Sequence, residues 1–333
     1  MLFILLPAVF VFASSVGPVS IPFRHTAAII MEQMHLPMGW AYTEREGLIV
    51  SQVRLPRVLV GALVGAALGI SGAAMQGLFR NPLVEPGYVG VSSGAALGAV
   101  TALFFGWTRV SHWILPGAAF IGALAAISIV LMVWKVSRKS GIATLLLLGV
   151  GINSFLSALI SIMIASSRNE EELRSIVYWL QGGLEARTWE HVQLIGPFIV
   201  IACLLICSFG RDLNVMLLGD DQARNAGVNV KRTRILLLGL ASLTTGVAVA
   251  VSGIIGFVGL IIPHTIRLLI GPDHRLLLPL SAIGGAVFLM LADVVSRMML
   301  QPITLQVGVV CACIGAPLFI FLILRKKKGD MSL

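Results

Sequence analysis

Side chains suited to chemistry are few in this sequence, and most of them stand alone. Cys203, Cys207, Cys311 and Cys313 all fall inside apolar stretches. Cys311 and Cys313 are two residues apart and do not share a helix face, so small buried residues are the reading they support. His264 has no His, Cys or carboxylate cluster at metal spacing, and a hydrogen-bonded structural histidine is expected. Gly90-Val-Ser92-Ser-Gly94 fits Gly-x-Ser-x-Gly, but no strand precedes it to form a nucleophile elbow. Ser71, in Gly69-Ile-Ser71-Gly72, would need His264 as its base; a small packing residue in a glycine ladder is the simpler reading. His-Glu-x-x-His is absent, and without a Gly-Lys dipeptide there is no Walker A loop. Neither an intramembrane enzyme nor an ATPase is supported, and no metal or cofactor is expected.

The informative polar residues lie elsewhere. Arg54-Leu-Pro-Arg57 precedes glycines at 61, 65, 69 and 72, then Met75-Gln76 and Asn81-Pro-Leu-Val-Glu-Pro86. Glycines spaced by three and four make a flat face for close helix approach, and proline ends the helix. A second ladder follows at Gly87, Gly90, Gly94 and Gly98. Gln76 and Asn153 are polar groups in apolar stretches; each could line a solute path or bridge two helices. The segment 210–234 contains Leu218-Gly219-Asp220-Asp221-Gln-Ala223, then Gly227-Val228. Gly219 with two acids reads as a helix start and Gly227 as a stop. A helix of about seven residues is not stable alone, so it must pack on the rest of the chain, on a partner, or on both.

The elements that hold these residues are membrane helices. Hydrophobic residues make up 57% of the 333 and charged residues 12%, against roughly 25% charged in a soluble domain. The net charge of +9 does not indicate nucleic acid, because the basic residues are scattered between apolar runs. Ten spans are expected, at 2–22, 56–78, 89–107, 113–134, 143–166, 192–209, 233–254, 257–270, 278–297 and 307–324. The eighth is short enough to be tilted, partly buried in protein, or continuous with a loop. The first lacks a basic n-region and is read as a transmembrane helix rather than a cleaved signal. With the N-terminus inside, 15 of the 24 Lys and Arg fall on one side, among them Arg138 and all six lysines, Lys139 included. Both termini are therefore expected to be cytoplasmic. Asp293, near the outer end of the ninth span, is the main charge within a span. Ion-coupled carriers keep ionisable groups at mid-membrane, so the energy source is expected in another chain.

Four stretches, the ones opening at Arg54, Leu213, Gly256 and Val307, together resemble the FecCD-type permeases in order and spacing. These are membrane subunits of ABC importers for iron–siderophores, haem and cobalamin. The resemblance implies an all-α, cobalamin-importer-permease-like fold of about ten transmembrane helices, one domain over 1–333, multi-pass in the bacterial cytoplasmic (inner) membrane. It implies that Arg54, Arg57 and Arg297 lie at the outer mouth and pair with acids of an extracytoplasmic substrate-binding protein. It also implies that the loop 210–234 is the ATPase coupling loop, through Leu218, Gly219, Asp220, Asp221, Ala223, Gly227 and Val228. Gln76 and Asn153 are the candidates for the translocation path. The implied partners are a second permease chain, identical or related, two ATP-binding cassette subunits, and membrane lipid. A ferric siderophore is the expected cargo, with cobalamin or haem as the alternative. Two departures bear on the outer entrance: Thr304, Leu305 and Gln306 stand where the family has Glu-Leu-Pro, and Cys311 stands where it commonly has Thr.

Overall fold

Proline and glycine decide where the first helix stops. The computed structural model describes residues 2–36, 39–136, 142–301 and 303–329; Arg138 and Lys139, counted above, lie outside the described residues. Helix α1 covers Leu2–Ser15 and breaks before Gly17-Pro18, well short of the expected residue 22. A separate helix α2, Phe23–Gln33, follows. Helix α3, Glu44–Leu48, then runs through a π-turn at Ile49–Arg54 into α4, Leu55–Phe79. The second apolar helix thus begins at Glu44 rather than 56, 36 residues in one piece. The wide π-turn leads directly into Pro56, whose missing N–H a regular α-turn would leave as a gap.

The remaining helices are α5 (Val91–Phe104), α6 (Ile114–Val136), α7 (Ile142–Ala165), α8 (Glu170–Leu180), α9 (Trp189–Ser208) and α10 (Gly210–Leu217). They are followed by α11 (Asp220–Asn225), α12 (Val230–Ser252), α13 (Val258–Ile270), α14 (His274–Met298) and α15 (Val307–Gly329). No strand occurs among the described residues. Six described helices are long and apolar enough to cross a membrane, and four shorter apolar helices lie among them. These ten match the ten expected windows in order. Helices α2, α8 and α10 were not expected: each mixes polar and apolar residues and none spans.

Helix α4 is the central post, buried against α14, α12, α13 and α9. Its glycines let it get there. A Cβ on Gly65 would lie 2.2 Å from the Gly285 carbonyl oxygen, and one on Gly69 would lie 2.2 Å from that of Ser281. Real Cβ atoms do not come that close, so the two backbones touch because neither has a side chain between them. The second ladder does the same for α5, where Gly94 and Gly98 meet the Gly122 and Ala118 carbonyls of α6. By contrast, α7 carries Leu147, Val150, Phe155 and Ile162 on an exposed apolar face.

Candidate functional site

Three groups of polar residues are held along α4: one at each tip, and one where the helices give way to irregular backbone. The first tip contains all three arginines named above, and the structure draws them inward. Arg54 and Arg297 are each 5% exposed. Arg54 Nη1 donates to the carbonyls of Ser14 (3.2 Å) and Ser15, and Nη2 donates to that of Val19. Arg297 donates to Val16 O at 2.7 Å and Ala13 O at 2.9 Å. Two guanidiniums therefore cap the last carbonyls of α1, which have no intrahelical donor and carry the negative end of the dipole. This is why α1 can stop at Ser15. Arg57 donates through Nε and Nη2 to Asp293 Oδ1, at 2.9 and 2.8 Å, and lies 3.6 Å from Glu185. Asp293 also pairs with Arg297 Nε at 3.0 Å. The arginines are a buried network, and only Arg57, half-buried, borders solvent.

The middle group explains the two polar residues of the apolar interior. Residues 81–90 and 253–257 interrupt the helices, yet Tyr88 and Phe257 within them pack against the apolar helices α7 and α15. A Cβ on Gly149 of α7 would meet the Tyr88 carbonyl at 2.1 Å, and one on Gly315 of α15 would meet Phe257 Cβ at 2.6 Å. Irregular backbone survives there only when covered by protein or lining a wet cavity. Asn153 supplies a donor for the first segment: Nδ2 binds Gly87 O at 3.1 Å and Tyr88 O at 3.3 Å. Gln76 acts instead on the first turn of α13, just after the second segment. Its Nε2 donates to Gly259 O at 3.2 Å and Leu260 O at 3.0 Å. In a helix Gly259 O would accept from residue 263, but that residue is Pro263 and has no N–H. Both side chains thus bridge elements, the second of the two roles open to them in the sequence.

A double-mutant cycle tests that account. Gln76→Leu is expected to cost roughly 1–3 kcal/mol by orphaning buried carbonyls. In a Pro263→Ala background, where the helix regains its donor, the cost should shrink by more than about 0.5 kcal/mol. Additive unfolding free energies in mixed micelles would remove the proposed pairing.

The second tip holds the loop 210–234, which contains two short helices instead of one. Asn214 of α10 is stapled to the start of α14: its side-chain oxygen accepts the His274 amide at 2.8 Å and its Nδ2 donates to Asp273. Helix α11 starts after Gly219 (φ +123°) and stops before Gly227 (φ +85°), where the Val228 amide reaches back to Ala223 O at 2.9 Å. Ala223 is fully buried, whereas Leu218 is 66% exposed. The two adjacent acids part company. Asp221 points away, with only Arg224 near it at 3.8 Å. Asp220 turns toward the helices, accepting two 2.8 Å bonds from Arg234 of α12 and one from Arg80 at the end of α4. Burial alone would raise the Asp220 carboxyl, but the contacts with Arg234 and Arg80 outweigh it and hold the group below the ordinary carboxylate range. An acid with a lowered folded-state pKa contributes above its unfolded value, about 3.9 for Asp, and loses that contribution only as the pH falls through the lowered one. Asp220 is therefore charged, and its pairs intact, throughout the neutral range.

A bundle of ten apolar helices, with irregular backbone at its centre and charged clusters at its tips, is a polytopic membrane protein of the transport kind. The FecCD transport family model matches residues 4–325, and the chain belongs to that family, whose members are permease subunits of ABC importers. It is 48% identical to the uncharacterized ABC transporter permease protein YvrB of Bacillus subtilis (strain 168), over 86% of this chain and 81% of that one. It is 39% identical to the cobalamin import system permease protein BtuC of Halobacterium salinarum, covering 96% and 94%. It is 41% identical to the hemin transport system permease protein HmuU of Yersinia pestis, covering 83% of each. Among solved structures it matches an inward-facing conformation of an ABC transporter assigned to the metal-chelate type, with TM-score 0.86, 32% identity and 97% of both chains covered.

Proposed function

We propose that this permease passes a ferric siderophore into the cytoplasm, driven by ATP hydrolysis in a separate pair of subunits. The observation that carries the reading is the pair of neutral amides inside the bundle, Asn153 on the irregular backbone at Gly87 and Tyr88 and Gln76 on the first turn of α13. It supplies a weakly polar interior in which, among the described residues, no ion pair lies between the two tips to couple a gradient. The cargoes named for the relatives share one chemistry, a metal held in an organic chelate. The Asp220 tip is taken as cytoplasmic and the Arg57 tip as extracytoplasmic, following the lysine bias. Leu218, just before α11, and Asp221, on its free side, are the contacts offered to the ATPase, with Gly219, Ala223, Gly227 and Val228 shaping the helix.

Arg54, Arg57 and Arg297 enter the docking proposal as a source of field rather than as free arms. Among the described residues, the carboxylates paired with Arg54, Arg57, Arg187 and Arg297 are Asp293 and Glu185, so four cations against two anions leave an excess of two within this cluster. A positive rim of this kind steers an acidic binding protein and sets its register. The exposed apolar face of α7 suits lipid or a second permease chain.

Reconstitution with the ATPase and binding protein tests the cargo. Labelled ferric siderophore is expected to be taken up with ATP, and excess cobalamin or haem should not compete. Competition by either, with no siderophore uptake, would replace the cargo and leave the assembly standing.

A further inference from the structure

We infer that Asp220 is a positioning residue that ties the movement of α11 to the irregular segment 81–90, by way of Arg80. The inference rests on the reading of α11 as the element that meets the ATPase.

The geometry separates two jobs along one short helix. Asp221 and Leu218 face away from the bundle, while the Asp220 carboxylate is divided between Arg80 and Arg234. Arg234 is anchored in the wall of α12, its side chain 14% exposed. Arg80 differs from it. It ends α4 in a left-handed conformation (φ +50°), unusual for a residue with a side chain, and the next residue begins the irregular segment. A conformation of that kind persists where surrounding contacts determine it, and the pair with Asp220 is one of those contacts. The far part of the segment is also held, by Asn153 at the Gly87 and Tyr88 carbonyls. Residues 81–90 are thus strung between a charge pair at the α11 tip and hydrogen bonds at membrane depth. When α11 shifts, Arg234 keeps it against α12 and Arg80 passes the displacement into the segment. The two acids that look alike in sequence act on different neighbours: Asp221 meets the partner, and Asp220 carries the motion inward.

Hydrogen–deuterium exchange on the peptide covering 81–90 tests this in Asp220→Asn, Asp221→Asn and Arg80→Lys, with and without the ATPase. Asp220→Asn is expected to raise exchange in 81–90 by about fivefold or more and to erase its response to nucleotide. Asp221→Asn should leave exchange in the free chain unchanged, and Arg80→Lys should keep much of the protection. Asp220→Asn should still co-purify with the ATPase while uptake falls about tenfold. Unchanged exchange in Asp220→Asn would overturn the linkage, as would loss of ATPase binding, which would make Asp220 a docking contact instead. The measurement on the free chain needs no transport. If the wild-type complex moved no solute, the functional reading would fail while the linkage was still decided.

Discussion

Replacing Asp293 with alanine is expected to destabilise the protein by about 3–5 kcal/mol, the cost of leaving buried charge without its partner. Asp293 is 1% exposed and serves both Arg57 and Arg297. Arg297 cannot reach water by a simple rotation, because it is also held by the Ala13 and Val16 carbonyls, whereas Arg57 borders solvent and keeps Glu185 at 3.6 Å. The change should appear as a large fall in the thermal unfolding midpoint in detergent and as poor recovery from the membrane. Asp293→Asn keeps the volume and an acceptor and should lose less. Removing a cation together with the acid, in Asp293→Ala with Arg57→Leu, should recover part of the loss, since one fewer charge is then stranded. A midpoint for Asp293→Ala within a degree of wild type would show that water already reaches the cluster.

Gly72→Val should be about as damaging, at about 3 kcal/mol or more, for a reason that has nothing to do with charge. A Cβ at this position would lie 1.9 Å from the Gly259 oxygen and 2.5 Å from the Gly259 carbonyl carbon and Cα. The obstructing atoms are backbone, so no rotamer relieves the overlap and α13 must move away from α4. That movement would also part Gln76 from the Gly259 and Leu260 carbonyls, adding buried unsatisfied groups to the steric cost. Gly239→Val is the matched control. It places the same side chain in a spanning helix with nothing within 4 Å of the new Cβ. Equal losses in the two variants would mean that helix propensity, not the α4–α13 contact, sets the effect.

The ten apolar windows could be read from composition because length and hydropathy are local properties. Helix ends were less legible where their causes are remote. Gly17-Pro18 mark a local break after Ser15, but the caps that satisfy the last carbonyls of α1 come from Arg54 and Arg297, 39 and 281 residues distant from their partners. The same remoteness hid the inward turn of the three arginines, which in sequence are simply cations beside apolar helices. Gln76 was legible as a polar residue out of place, but its pairing with the carbonyl orphaned by Pro263 needed the packing of α13 on α4. Gly219 and Gly227 marked α11 correctly because start and stop chemistry is local. Asp220 and Asp221, adjacent and identical in type, could be told apart only once Arg80 and Arg234 were in place.

Arg57 and Arg80 belong to the same helix. They lie 23 residues apart, about 35 Å along the axis of α4, and each is held by an acid from a different element, Asp293 of α14 and Asp220 of α11. A rod held at both tips cannot slide lengthwise without parting one of the two charge pairs, so any displacement of the post along its own axis would be felt at both clusters at once.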